Sequence, residues 1–276
     1  MPPEPRSPLL TSIEIGQMLA ARAAGRLAVE CSLDLQLSMT TVQIGAAAWT
    51  FEGRRFPYPE RFKERTVYHW AEGRFEPVAR FASSLIKLVP TEWGPPTFEI
   101  DGIKMLPSAK LSPFADAEAK VALIAPKGKR ILDTCGGLGY FAAWCLRGGA
   151  RHVRSYEINP DVRWLREINP WSPPADARLT LIQEDVSQAV CTLPEGSMDA
   201  ILHDPPRFGI AGDLYSLSFY QHLAHALAGR GRLFHYTGSP NKLTSGRDVQ
   251  GEVAKRLRTA GFEVKKTADG LLAVKN

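Results

Sequence analysis

Four carboxylates stand where short apolar runs stop, and each is followed by residues suited to a turn. Asp133 ends Arg130-Ile131-Leu132 and leads into Thr134-Cys135-Gly136-Gly137-Leu138-Gly139-Tyr140. Glu157 ends Val153-Arg154-Ser155-Tyr156, 24 residues further on, and is followed by Ile158-Asn159-Pro160. Asp185 comes after Leu179-Thr180-Leu181-Ile182 and precedes Val186; Asp204 closes the run Met198 to His203 and opens Asp204-Pro205-Pro206-Arg207-Phe208. An acid placed as Glu157 is, about 20 residues beyond a glycine turn, can accept both hydroxyls of a ribose. Gly136, Gly137 and Gly139 let the backbone approach a ligand where a Cβ would intrude. Pro205 and Pro206 fix φ and supply no N–H, which leaves a rigid surface of acceptors beside Asp204.

These acids need parallel strands to carry them to one edge. Apolar runs ending at 133, 157, 182, 203 and 236 alternate with helix-like stretches, which predicts an α/β fold with a parallel sheet. Such sheets bind ligands at the carboxyl ends of their strands. A dinucleotide-binding turn needs glycine at its first, third and sixth positions; here Cys135 stands first and Tyr140 sixth.

The ordered set resembles the class I S-adenosylmethionine-dependent methyltransferases over roughly residues 115–276. Their landmarks are a glycine loop after the first strand, an acid after the second, an acid after the third and a proline-rich motif after the fourth. The chain looks nearest to a group of predicted archaeal-type methyltransferases with a His-Asp-Pro-Pro-Arg-Phe motif. The resemblance implies a Rossmann-like seven-stranded sheet, closed by the strand–turn–strand finish Phe262 to Val274, and S-adenosyl-L-methionine as cofactor. It implies that Asp133, Gly136, Gly137 and Gly139 face the methionyl part, Glu157 and Ile158 the ribose and its surroundings, and Asp185 and Val186 the adenine. Asp204, Pro205, Pro206 and Phe208 would form the catalytic cup, in which the acid and the first proline carbonyl accept the N–H bonds of an amine. Arg207 stands where an aromatic residue is expected, and it could pair with a substrate carboxylate or phosphate. Tyr215 and Tyr236 would line the acceptor pocket. By strand alternation His203 should face away from Asp204 and serve packing, and Asp185 could equally cap the helix that follows it.

Composition frames the rest. The chain has 276 residues, 44% hydrophobic and 23% charged, as in ordinary globular proteins. No apolar run approaches the ~20 residues of a bilayer-spanning helix, and the N-terminus lacks the apolar centre of a secretory signal. Four cysteines without metal or disulfide spacing fit a reduced, cytoplasmic setting, and no His/Cys cluster suggests a metal. A net charge of +5 makes nucleic acid a possible partner without compelling it. The expected organisation is a disordered tail over 1–8, a small, mostly β accessory domain over 9–110, and the catalytic domain over 111–276. The expected activity is methyl transfer to an amine of RNA or of a small metabolite. Two alternatives stay open: aminopropyl transfer from decarboxylated S-adenosylmethionine, and a non-catalytic binding module. The acceptor's identity and the oligomeric state are not written in the sequence.

Overall fold

The computed structural model describes residues 7–207, 211–238 and 248–276. The chain divides into two compact units, one running to Phe114 and including Glu167–Trp171, the other comprising Ala115–Arg166 and Ser172–Asn276. The residues that group with the first unit after Phe114 are the last two of the helix Pro160–Ile168 and the three that follow it. Of the expected tail, residues 1–6 lie outside the described residues. Ser7 is anchored, its hydroxyl donating to the Trp70 carbonyl at 3.0 Å and accepting from the Trp70 N–H at 3.1 Å.

The first unit opens with a helix, Ser12–Ala23. Thr11 caps it by accepting from Ile13 N–H, and Glu14 reaches back to the Thr11 N–H, so two orphan donors of the first turn are satisfied reciprocally. Antiparallel strands follow. Ala28–Cys31, Thr40–Ile44, Ala48–Phe51 and Arg54–Pro57 make a four-stranded meander. Leu10, Ile15, Met18, Trp49 and Phe56 form the core between helix and strands, with Trp49 stacked on Phe56 at 4.7 Å. An Asp-Gly hairpin follows, in which Thr97–Ile100 pairs with Ile103–Lys104. Asp101 and Gly102 take φ of 48° and 78°, as a tight hairpin turn requires.

The second unit is built on one seven-stranded sheet. Its strands, numbered in chain order, are β1 (Arg130–Asp133), β2 (His152–Tyr156), β3 (Leu179–Ile182), β4 (Met198–His203), β5 (Leu227–Tyr236), β6 (Phe262–Lys266) and β7 (Gly270–Lys275). They lie in the order 3-2-1-4-5-7-6. The first five are parallel, and β7 runs antiparallel between β5 and β6. This is the α/β, Rossmann-like sheet expected from the acid-terminated runs, with the smaller β-rich unit ahead of it. The fifth strand ends at Tyr236, where its apolar run stops, and begins at Leu227. Ile131, Leu132, Ile201, Leu202 and Leu233 are fully buried in the middle of the sheet. Strand order reverses beside β1, so the ends of β1, β2 and β4 open on the crevice where such sheets bind ligands.

Candidate active site

Asp133 ends β1 almost fully buried. Its Oδ2 accepts from the Ser155 hydroxyl at 2.8 Å, while Oδ1 is buried without a hydrogen-bond partner. Burial pushes its carboxyl up to about 6, against the lowering pull of Ser155 and of the Arg166 guanidinium. The turn that follows is held in place by Glu157, whose Oε2 accepts from Gly137 N–H at 3.0 Å and whose Oε1 accepts from Asn159 N–H at 2.9 Å. Burial raises the Glu157 carboxyl as well, with those two backbone donors opposing the rise. Ile158, next in the chain, leaves 60% of its surface exposed.

Arg166 explains two of the glycines. It lies on the helix Pro160–Ile168 and is 5% exposed. Its Nη1 donates to the Ser155 hydroxyl at 3.2 Å, and its Nε and Nη2 are buried without hydrogen-bond partners. A Cβ on Gly136 would overlap the Ser155 hydroxyl and come within 3.0 Å of Arg166 Nη1; one on Gly139 would come within 2.5 Å of the guanidinium carbon. Gly139 also needs its freedom of conformation, because it takes φ of 81° to start the helix Tyr140–Arg147. The turn thus has an arginine packed against it. Sequence reasoning missed Arg166, yet a signal was there: it falls on the same helical stripe as buried Val162 and Leu165, where a charge is out of place.

At the end of β4, Asp204 is pushed up to about 6 by burial, with the Lys120 ammonium pulling the other way. The Asp204 charge in turn raises Asp133, which puts the ends of β1 and β4 within electrostatic reach of each other. Pro205 is buried and Pro206 exposed. Tyr215 is buried, and its hydroxyl donates to the Pro206 carbonyl at 3.0 Å. The ring therefore braces the second proline of the motif, and not the first. Arg207 is exposed, and Phe208 lies outside the described residues. Tyr236, at the end of β5, has its phenol pushed up to about 12 by burial and by the charges of Asp204, Asp116 and Asp269. Asp185 caps the short helix Val186–Ala189 by accepting from Ser187 N–H at 2.8 Å, and Val186 is buried beneath it.

His203 is the packing residue that alternation suggested, and it also ties the site together. Its Nε2–H donates to the Leu214 carbonyl at 3.0 Å, so Nδ1 is the acceptor for the Thr134 hydroxyl at 2.7 Å. His235 stacks edge-on at 4.4 Å, donating from Nδ1 to the Tyr236 carbonyl and accepting from the Tyr220 hydroxyl. Burial holds both imidazoles neutral: His235 is lowered to about 4, and His203 is lowered well below its usual value, by burial first and then by His235. Among the described residues no group of His, Cys, Asp and Glu could hold a metal ion, and no helix is long and apolar enough to cross a membrane.

The strand order and the acid-lined edge define a Rossmann-like α/β fold. No family model matches the chain. It is 40% identical over 217 residues to the uncharacterized protein MJ1233 of Methanocaldococcus jannaschii, a match that covers 77% of this chain and 74% of that one, and it belongs to the same family. Among solved structures it is similar to a spermidine synthase in complex with the transition state analogue AdoDATO, with TM-score 0.56 and 16% identity over 72% of this chain and 73% of that one. Spermidine synthase from Thermotoga maritima gives a TM-score of 0.55 at 17% identity, with 72% of each chain covered. MNMC2 from Aquifex aeolicus gives 0.51 at 19% identity, with 71% of each covered. At these identities the likeness is one of fold.

Proposed function

We propose that this chain is a transferase that moves an alkyl group from an adenosyl sulfonium cofactor to an amine nitrogen. The observation that carries the reading is Asp204, a partly buried carboxylate with a shifted pKa, set before two prolines at the end of β4 and within electrostatic reach of Asp133. The fit to the cofactor rests on the orphaned Asp133 Oδ1, which can accept from an ammonium, on the Glu157 carboxylate for ribose hydroxyls, and on exposed Ile158 as an apolar wall. When bound, the cofactor supplies a carbon attached to a positively charged sulfur that leaves as a neutral thioether. The chain's part is to orient and to take a proton. Asp204 and the Pro205 carbonyl accept the N–H bonds of the amine and so aim its lone pair. With its pKa near the working pH, Asp204 is also suited to receive the proton that the nitrogen loses.

Two alkyl groups can leave such a sulfonium. Aminopropyl has the wider support. The solved structures of similar fold include spermidine synthases, and the acids Asp116, Asp133, Glu157, Asp204 and Asp269 outnumber the cations that act on the same groups, Lys120, Arg163, Arg166 and Arg207. Such a lining suits decarboxylated S-adenosylmethionine, which carries two positive charges and no carboxylate. The second reading is methyl transfer from S-adenosyl-L-methionine. The glycine turn favours it, because Leu138 and Tyr140 are buried apolar residues instead of a further acid. On either reading the acceptor is an amine of a small metabolite or of RNA.

Calorimetry with the two cofactors decides between the groups: tighter binding of the decarboxylated form supports aminopropyl transfer, and tighter binding of the parent supports methyl. Binding of neither would sink both. Incubation of labelled cofactor with total RNA and with a small-molecule extract then shows which fraction receives the label.

A further inference from the structure

The helix Pro113–Ile124 buries a lysine beside the proposed reaction centre. Lys120 is 4% exposed. Its Nζ lies 2.6 Å from Asp116 Oδ2 and 4.1 Å from the centroid of the Tyr236 ring. It is also the leading charge opposing the effect of burial on Asp204, while Asp116 adds to that effect. An aromatic face flanked by carboxylates is the environment that holds a free alkylammonium. Here the chain's own four-carbon tether delivers the ammonium. Taking the Lys120–Asp116 pair out of water costs several kcal/mol per ion, which their attraction and the Tyr236 ring offset.

We propose that Lys120 determines acceptor specificity by filling an ammonium site beside Asp204, so that the accepted amine carries no second cation close to its reacting nitrogen. The assignment of an acceptor class rests on the amine-transfer reading above. A diamine would bring its far ammonium toward Lys120 and be repelled. A monoamine meets no such charge, and an amine with a neighbouring carboxylate or phosphate gains an attraction. Without the Lys120 side chain, Asp116, Asp204 and the Tyr236 ring are left with an unfilled site of ammonium size.

The test uses the full chain with Lys120→Ala and Lys120→Met, titrated with n-butylammonium and 1,4-diaminobutane by calorimetry and thermal shift, without any adenosyl cofactor. Lys120→Ala should bind both amines at least tenfold more tightly than wild type, and n-butylammonium should raise its unfolding temperature. Lys120→Met, which refills the site with an apolar chain, should gain neither effect. Adding Asp116→Asn to Lys120→Ala should remove the gain. Equal amine affinity in wild type and Lys120→Ala overturns the proposal.

A second measurement does not depend on the folding of that variant. In wild type, with labelled cofactor, n-butylamine should accept at least tenfold faster than 1,4-diaminobutane at equal concentration. A diamine accepted as fast or faster overturns the specificity. If the variant gains the amine site while wild type transfers to no amine, the ammonium site stands and the amine-transfer reading falls.

Discussion

Asp204 carries its charge only above the pH at which burial lets it ionise, about 6. A base must be unprotonated to accept, so the rate of transfer should rise as pH passes upward through about 6 and then level off. A rate already level from pH 5 would remove Asp204 from that role. Asp204→Asn keeps the shape and one acceptor oxygen but cannot take a proton. It should lower turnover by about 10²-fold or more while leaving cofactor affinity nearly unchanged, as calorimetry would show. Equal loss of both would make Asp204 a structural residue. Gly136 offers a different test, because its φ lies outside the left-handed region and its need for hydrogen at Cα is purely spatial. Gly136→Ala drives a methyl group into the Ser155 hydroxyl and should cost about 1–3 kcal/mol of stability by denaturant titration. Ser155→Gly in the same chain should return part of that loss.

The elements of the second unit were legible because each strand ends in chemistry. Apolar runs closing at Asp133, Glu157, Ile182, His203 and Tyr236 defined the parallel strands, and the Asp-Gly turn at 269–270 marked the closing antiparallel pair. What stayed hidden were contacts made across elements. Arg166 and Lys120 each sit on the buried stripe of a helix, and nothing local says which strand end they meet. Asp185 read equally as an adenine ligand or a helix cap, and one of its oxygens is used as a cap. The role of His203 depends on Thr134 and Leu214, which are far from each other in sequence and near only once β1 and β4 pair. His203 holds the Leu214 carbonyl, and the neighbouring Tyr215 holds the Pro206 carbonyl. His203→Phe preserves bulk but leaves the Leu214 carbonyl without its donor, at about 1–3 kcal/mol, while the Thr134 hydroxyl keeps the Leu202 carbonyl as an acceptor at 3.3 Å. It should lower the unfolding temperature and reduce kcat more than cofactor affinity. An unchanged kcat would confine His203 to packing.

For the whole molecule, the buried groups titrate in opposition. The two imidazoles are lowered, so the unfolded chain binds more protons and stability falls as pH drops below about 6.5, the ordinary histidine value. Asp133 and Asp204 are raised to about 6, so the folded chain holds more protons and stability rises as pH falls from about 6 toward 4. Urea midpoints should therefore change little between pH 6.5 and 5. The variant Asp133→Asn, which removes one of the opposing carboxylates, should lose stability on acidification more steeply than wild type, and identical slopes would refute the balance. The crowding behind the glycine turn has a consequence for descent. Gly136, Ser155 and Arg166 occupy one shared volume, so no one of them can enlarge alone. In any lineage of this family where position 136 acquires a side chain, positions 155 and 166 should have shrunk first, and that order of substitution would be readable by reconstructing ancestral sequences.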